Sequence, residues 1–105
     1  MQQWITSKKI TRQLIKMEDK HCDQVISILI DPRSNYSYVS HDLVDKYGLN
    51  KQVHVESWLV KMAIGTKKRV YHWVRFCAFK LNGMPKSTHL NVFSIGSYSM
   101  LLGMG

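Results

Sequence analysis

Ile28-Leu29-Ile30-Asp31-Pro32-Arg33-Ser34-Asn35-Tyr36-Ser37-Tyr38-Val39-Ser40 is the stretch on which the reading of this chain turns. Its apolar beginning reads as a buried strand, and that strand ends on a single carboxylate. Pro32 and the Ser/Asn-rich residues behind it force the backbone out of a sheet at this point. Asp31 is thereby placed where core meets solvent, a position in which partial desolvation and a neighbouring charge can tune a carboxyl group for acid–base work. The plain alternative is a turn-initiating Asp before Pro.

Upstream, Val25 to Ile30 is apolar almost without interruption, which predicts a strand buried on both faces. Downstream, Ser40 is placed to cap a short helix through Leu43, Val44 and Tyr47, with Gly48 as its left-handed stop and Leu49 as the hydrophobic contact beyond it. From Val53 the apolar positions Val53, Val55, Trp58, Val60, Met62 and Ile64 run near period two, with a slip between Val55 and Trp58 that reads as a bulge. Gly65-Thr66-Lys67-Lys68 turns the chain into a return strand, Val70 to Leu81. Asn82-Gly83 then signals a two-residue hairpin into a strand around Thr88 to Phe93, so the three strands form a meander. Residues 1 to about 20 read as a weakly ordered or helical lead-in, because Ile10, Leu14, Ile15 and Met17 fall near a helical period among Lys and Arg. The tail passes from a turn into the short apolar run Met100-Leu101-Leu102 before Gly103. The expected organisation is therefore a lead-in over 1–20 and one mainly β domain over 21–105.

The chain has 105 residues, enough for one domain and one core. Its longest apolar runs fall far short of the roughly 20 residues that span a bilayer, and no secretory signal pattern opens the sequence. Two cysteines, Cys22 and Cys77, do not make a disulfide framework and read as free thiols, which predicts an intracellular, reducing setting. The formal charge of +8, from 15 Lys and Arg against 7 Asp and Glu, attracts polyanions. It gathers near the N-terminus (Lys8, Lys9, Arg12, Lys16, Lys20) and in Lys67-Lys68-Arg69, where it can bind phosphate backbones without reading sequence. A solvated charge cluster at a turn explains it equally, and no recognition-helix, zinc-finger or ribonucleoprotein motif accompanies it. His21, Cys22, His72 and Cys77 lack metal-ligand spacing, so no metal is expected. His41, His54 and His89 read as surface or strand residues, and Trp58, Trp73, Phe76 and Phe79 as packing. No Gly-x-Ser-x-Gly elbow supports a serine triad.

Taken in order, the strand ending in Asp31, the polar turn, the helix His41-Asp42-Leu43-Val44-Asp45-Lys46-Tyr47 closed by Gly48-Leu49, the long hairpin with Gly65 at its tip and the late Leu101-Leu102-Gly103 resemble the retropepsin-like aspartic proteases of Gypsy-type retrotransposons, plant ones above all. The resemblance covers roughly Val25 to Met104. It implies a mainly β closed barrel with one short helix, and an aspartic endopeptidase that works as a homodimer on peptide or polyprotein substrates. Asp31 from each subunit would supply the catalytic dyad, within an active-site loop of Pro32, Arg33 and Ser34. Ala63, Ile64, Gly65 and Thr66 would form a substrate-binding flap, while Leu101, Leu102 and Gly103 pack beside the loop. No cofactor and no membrane are implied, and the setting would be cytoplasmic or particle-associated.

Two positions depart from the family's Asp-Ser/Thr-Gly. Pro32 lacks the hydroxyl and the backbone N–H that tie the two catalytic loops together in the family. Arg33 replaces Gly, and its guanidinium can pair with a carboxylate. The family also continues beyond the point where this sequence stops, so a C-terminal truncation is expected. The expectation is accordingly a degenerate protease domain with weak or no activity. The alternative is a non-catalytic β module that binds a peptide or a polyanion.

Overall fold

The computed structural model describes residues 2–5, 9–17, 23–31, 34–62, 67–93 and 98–103. They form eight strands and one short helix: β1 (Gln2–Ile5), β2 (Lys9–Met17), β3 (Asp23–Asp31), β4 (Ser37–Val39), α1 (His41–Tyr47), β5 (Lys51–Met62), β6 (Lys67–Leu81), β7 (Met84–Val92) and β8 (Met100–Gly103). The strands lie in the order β1-β5-β6-β2-β3-β8-β4-β7, and a further pairing of β6 with β7 closes β6-β2-β3-β8-β4-β7 into a barrel. Closure removes the exposed edges that an open sheet would present. The β5–β6 hairpin extends from the barrel, and β1 lies parallel to β5 along Leu59 to Met62. Among the described residues, no helix is long and apolar enough to cross a membrane.

Two apolar clusters explain the pattern of the sequence. One gathers Ile26, Ile28, Val39, Val92 and Met100 with Ile15, Phe79 and the inner face of α1. The other gathers Leu29, Tyr38, Phe93 and Leu101 with Trp58, Val60 and Val70 of the hairpin. Successive residues of a strand point to opposite faces, so the neighbours Ile28 and Leu29, Tyr38 and Val39, and Met100 and Leu101 each feed both clusters. This is why the run before Asp31 is apolar without alternation. Its first residue is the exception, since Val25 is exposed.

Helix α1 starts where expected. The Ser40 hydroxyl accepts from the Leu43 amide at 3.2 Å, and Gly48 closes the helix at φ 60°. Leu43, Val44 and Tyr47 are its buried face. Asn82 and Gly83 turn β6 into β7 with φ of 48° and 82°, the positive pair of a type I′ hairpin turn. Asn82 does more than turn the chain: its side-chain oxygen accepts from the Leu14 amide at 2.9 Å, and its own amide donates to the Leu14 carbonyl.

The N-terminal lead-in is a correction. Residues expected to be helical or weakly ordered include the strands β1 and β2. In β2 Ile15 and Met17 are buried, while the alternate positions Arg12, Leu14 and Lys16 are exposed. The period is two. Leu14, counted as part of a helical stripe, instead faces solvent. The strand β4 is a further element absent from the expectation, and β6 and β7 each begin a few residues earlier than their apolar patterns suggest.

Candidate active site

Asp31 is the last residue of β3 and is 1% exposed. Alternation along the strand puts it on the same face as Leu29, which belongs to the cluster roofed by the hairpin. Its parallel partner is Gly103 of β8, with Leu29 beside Leu101 and Ile30 beside Leu102. The loop that leaves Asp31 is stitched by its own polar groups. The Ser34 amide donates to the Asp31 carbonyl at 3.1 Å, and the Ser34 hydroxyl donates to the Tyr36 carbonyl at 2.8 Å while accepting from the Tyr36 amide at 3.2 Å. Ser34 is as buried as Asp31.

Gly103 lets β8 reach this loop. A Cβ there would collide with the carbonyl oxygens of Ser34 and Tyr36, so only glycine fits. Its amide donates to the Ser37 hydroxyl at 3.1 Å. Leu101 is fully buried and Leu102 packs on the larger cluster. The structure thus brings Asp31, Ser34, Leu101, Leu102 and Gly103 together. The expected loop residues Pro32 and Arg33 and the expected flap residues Ala63, Ile64, Gly65 and Thr66 lie outside the described residues.

Beside the loop lies a groove of about 1010 Å³, walled by Asn35, Tyr36, Ser37 and Gly103 on one side and by β5, β6 and β7 on the other. Its most ordered feature is a wall of five rings. Tyr36 meets Trp58 at 5.5 Å between centroids, Trp58 meets His54 edge-on at 4.5 Å, His54 stacks on Trp73 at 5.8 Å, and Trp73 meets His89 edge-on at 5.0 Å. A bulge in β5 makes this possible: between the register pairs Val53–His72 and Trp58–Val70, residues 54–57 stand opposite Tyr71 alone. The extra backbone brings His54 close to both tryptophans. The sequence assigns Trp73 to packing and His54 to a surface or strand position; both line the groove. The slip in period before Trp58 was the one sequence signal of the bulge. Nothing in the sequence linked it to Trp73 or His89.

A polar relay fixes the middle of that wall. The Ser37 carbonyl can only accept, so the Asn91 amide nitrogen that lies 3.4 Å from it donates. Asn91 therefore turns its oxygen to His54, whose Nε2 lies 2.9 Å away and must carry the proton. In the neutral ring Nδ1 is then an acceptor. Below the wall, burial pushes the Tyr38 phenol up to about 12, an effect the Trp58 indole N–H partly offsets. Neither the Tyr38 hydroxyl nor Trp58 Nε1 has a partner at hydrogen-bonding geometry.

The barrel is similar to a solved structure, the retroviral protease-like domain of Ddi1 from Leishmania major. The TM-score is 0.55, with 11% identity over 92% of this chain and 71% of that one. The fold is retropepsin-like. At that identity the likeness establishes the architecture, and the roles of individual residues rest on the geometry above. No protein-family model matches the chain, and no curated protein matches its sequence. In this retropepsin-like barrel the polar loop and Gly103 line one end of the groove, and Asp31 is buried behind them as the strand partner of Gly103.

Proposed function

We propose that this chain is an aspartic endopeptidase domain descended from a Gypsy-type retroelement polyprotein, acting on peptides as a homodimer, with turnover weakened or lost through Pro32 and Arg33. The observation that carries this reading is the placement of Asp31. A buried carboxylate ends β3 on the face that carries Leu29, under the hairpin, and the groove is lined by its strand partner Gly103. Each protomer supplies one such carboxylate. Two of them a few ångströms apart cannot both ionise readily, so one keeps its proton while the other draws a proton from water attacking a peptide carbonyl. The protonated partner polarises that carbonyl. By the family resemblance, residues 63–66, which join β5 to β6 in sequence, would serve as the substrate-binding flap. The five-ring wall supports peptide binding with or without turnover.

The test is cleavage of a mixed peptide library at mildly acid pH, at protein concentrations where sedimentation shows a dimer. We expect little or no cleavage by the native chain, measurable cleavage by Pro32→Ser plus Arg33→Gly, and none once Asp31→Asn is added to that pair. A dimeric revertant that leaves every peptide intact would remove the catalytic reading and leave a peptide-binding module.

A further inference from the structure

The groove has a chemistry opposite to that of the chain around it. On a protein of net charge +8, its described lining contains no Lys or Arg and one carboxylate, Glu56. Glu56 is exposed and has no hydrogen-bond or ion-pair partner among the described residues. The basic residues Lys68 and Arg69 of β6 are turned to other partners: Lys68 Nζ lies 5.9 Å from the centre of the Phe93 ring, and Arg69 donates to the Ser57 hydroxyl at 3.2 Å. A phosphate backbone entering the groove would meet no fixed cation in its described lining. The aromatic wall includes Trp73, which is half-buried and lines the groove, and an aromatic face carries a negative quadrupole. The relay from Ser37 through Asn91 leaves Nδ1 of neutral His54 as an acceptor. Ring faces, an acceptor nitrogen and an unpaired carboxylate together describe a receptor for a planar cation that donates several hydrogen bonds. The side chain with those properties is arginine, which stacks on rings and pairs with carboxylates through a rigid fork of N–H groups.

We infer that the groove selects an arginine side chain of the bound peptide, with the guanidinium on the Trp73 face beside His54 and its N–H groups directed to Glu56 and, in the ring plane, to His54 Nδ1. This rests on the peptide-groove reading above and adds its specificity. Lysine carries the charge without the plane, and citrulline carries the plane and most donors without the charge, so the pair separates the two contributions.

The experiment titrates the full chain at pH 7.5 with acetylated hexapeptides that differ only at a central Arg, Lys, citrulline or Leu, read by tryptophan fluorescence, with an oligouridylate as competitor. The arginine peptide should bind about fivefold or more tightly than the citrulline peptide. Glu56→Gln, an exposed and structurally mild change, should abolish that difference, and Trp73→Leu should weaken the arginine and citrulline peptides together. Equal binding of the arginine and citrulline peptides, or a preference that survives Glu56→Gln, overturns the arginine assignment while peptide binding itself stands. Absence of binding by every peptide overturns the peptide reading. Displacement of the peptides by the oligouridylate, lost steeply with salt, does the same in favour of a polyanion.

Discussion

Gly103 is the parallel strand partner of Asp31, and it lies so close to the loop behind Asp31 that its missing side chain is part of the structure. The carbonyls of Ser34 and Tyr36 occupy the volume a Cβ would take. Both are backbone atoms, and the Tyr36 carbonyl already accepts from the Ser34 hydroxyl, so neither can swing away as a flexible side chain would. Gly103→Ala must part β8 from the loop and strain the hydrogen bond that the Gly103 amide donates to the Ser37 hydroxyl. We expect a loss of about 1 to 3 kcal/mol, the usual range for overpacking a closed site, read from the shift of the urea midpoint. An unchanged midpoint would mean that the loop is not held against β8 as described.

Ser40 carries the start of α1 alone at its side-chain cap. Its hydroxyl accepts from the Leu43 amide at 3.2 Å, a contact buried beside the residues that dock the helix on the barrel. Ser40→Ala should cost about 1 kcal/mol, while Ser40→Asp, which keeps an acceptor at the positive end of the helix, should cost less. Equilibrium denaturation of the two variants distinguishes the cap from mere volume: equal losses would remove the capping argument.

What the sequence disclosed follows the range of the interactions involved. The α1 cap, its Gly48 stop and the Asn82-Gly83 turn are decided within a few residues, and each stands where its local chemistry puts it. Asp31 at a strand end was legible because the strand is apolar on both faces and then stops. The N-terminal strands were not, because β2 draws its burial from partners at β3 and β6, and its exposed Leu14 disguises the period of two. β4 spans only Ser37–Val39, too short to show a pattern, and exists because β7 and β8 lie on either side of it. The ring wall joins the Tyr36 loop to three different strands through a bulge. Its members are ordinary residues in sequence and become a site only through that register.

The Asn82-Gly83 turn should respond asymmetrically to substitution. Gly83 sits at φ 82° with open space around its Cβ position, so Gly83→Ala meets no clash and suffers only the backbone strain of a positive φ, about 1 kcal/mol. Asn82→Ala loses the same kind of tolerance at φ 48° and also leaves the Leu14 amide without its acceptor. Because that amide is exposed, water replaces part of the bond, and a loss of about 1 to 2 kcal/mol is expected. Thermal or urea unfolding checks the order: Asn82→Ala should be the more damaging, and the reverse order would show that the bond to β2 contributes nothing.

Tyr38 ties stability to alkaline pH. Its phenol is fully buried, and burial raises its pKa from 10.0 to about 12. In the unfolded chain the phenol ionises first, so between these values the folded state holds the proton that the unfolded state has lost. Stability from this group is therefore complete below about pH 10 and falls as pH rises towards 12, by roughly 2 to 3 kcal/mol across the interval. Tyr38→Phe should remove that slope. At neutral pH it should leave stability nearly unchanged, because the hydroxyl it deletes is buried with only the Trp58 indole N–H beside it, outside hydrogen-bonding geometry. Urea midpoints of the native chain and Tyr38→Phe at pH 7 and pH 11 test both halves. A marked loss in the variant at pH 7 would show that the hydroxyl is satisfied, and parallel pH profiles would show that Tyr38 does not carry the alkaline transition.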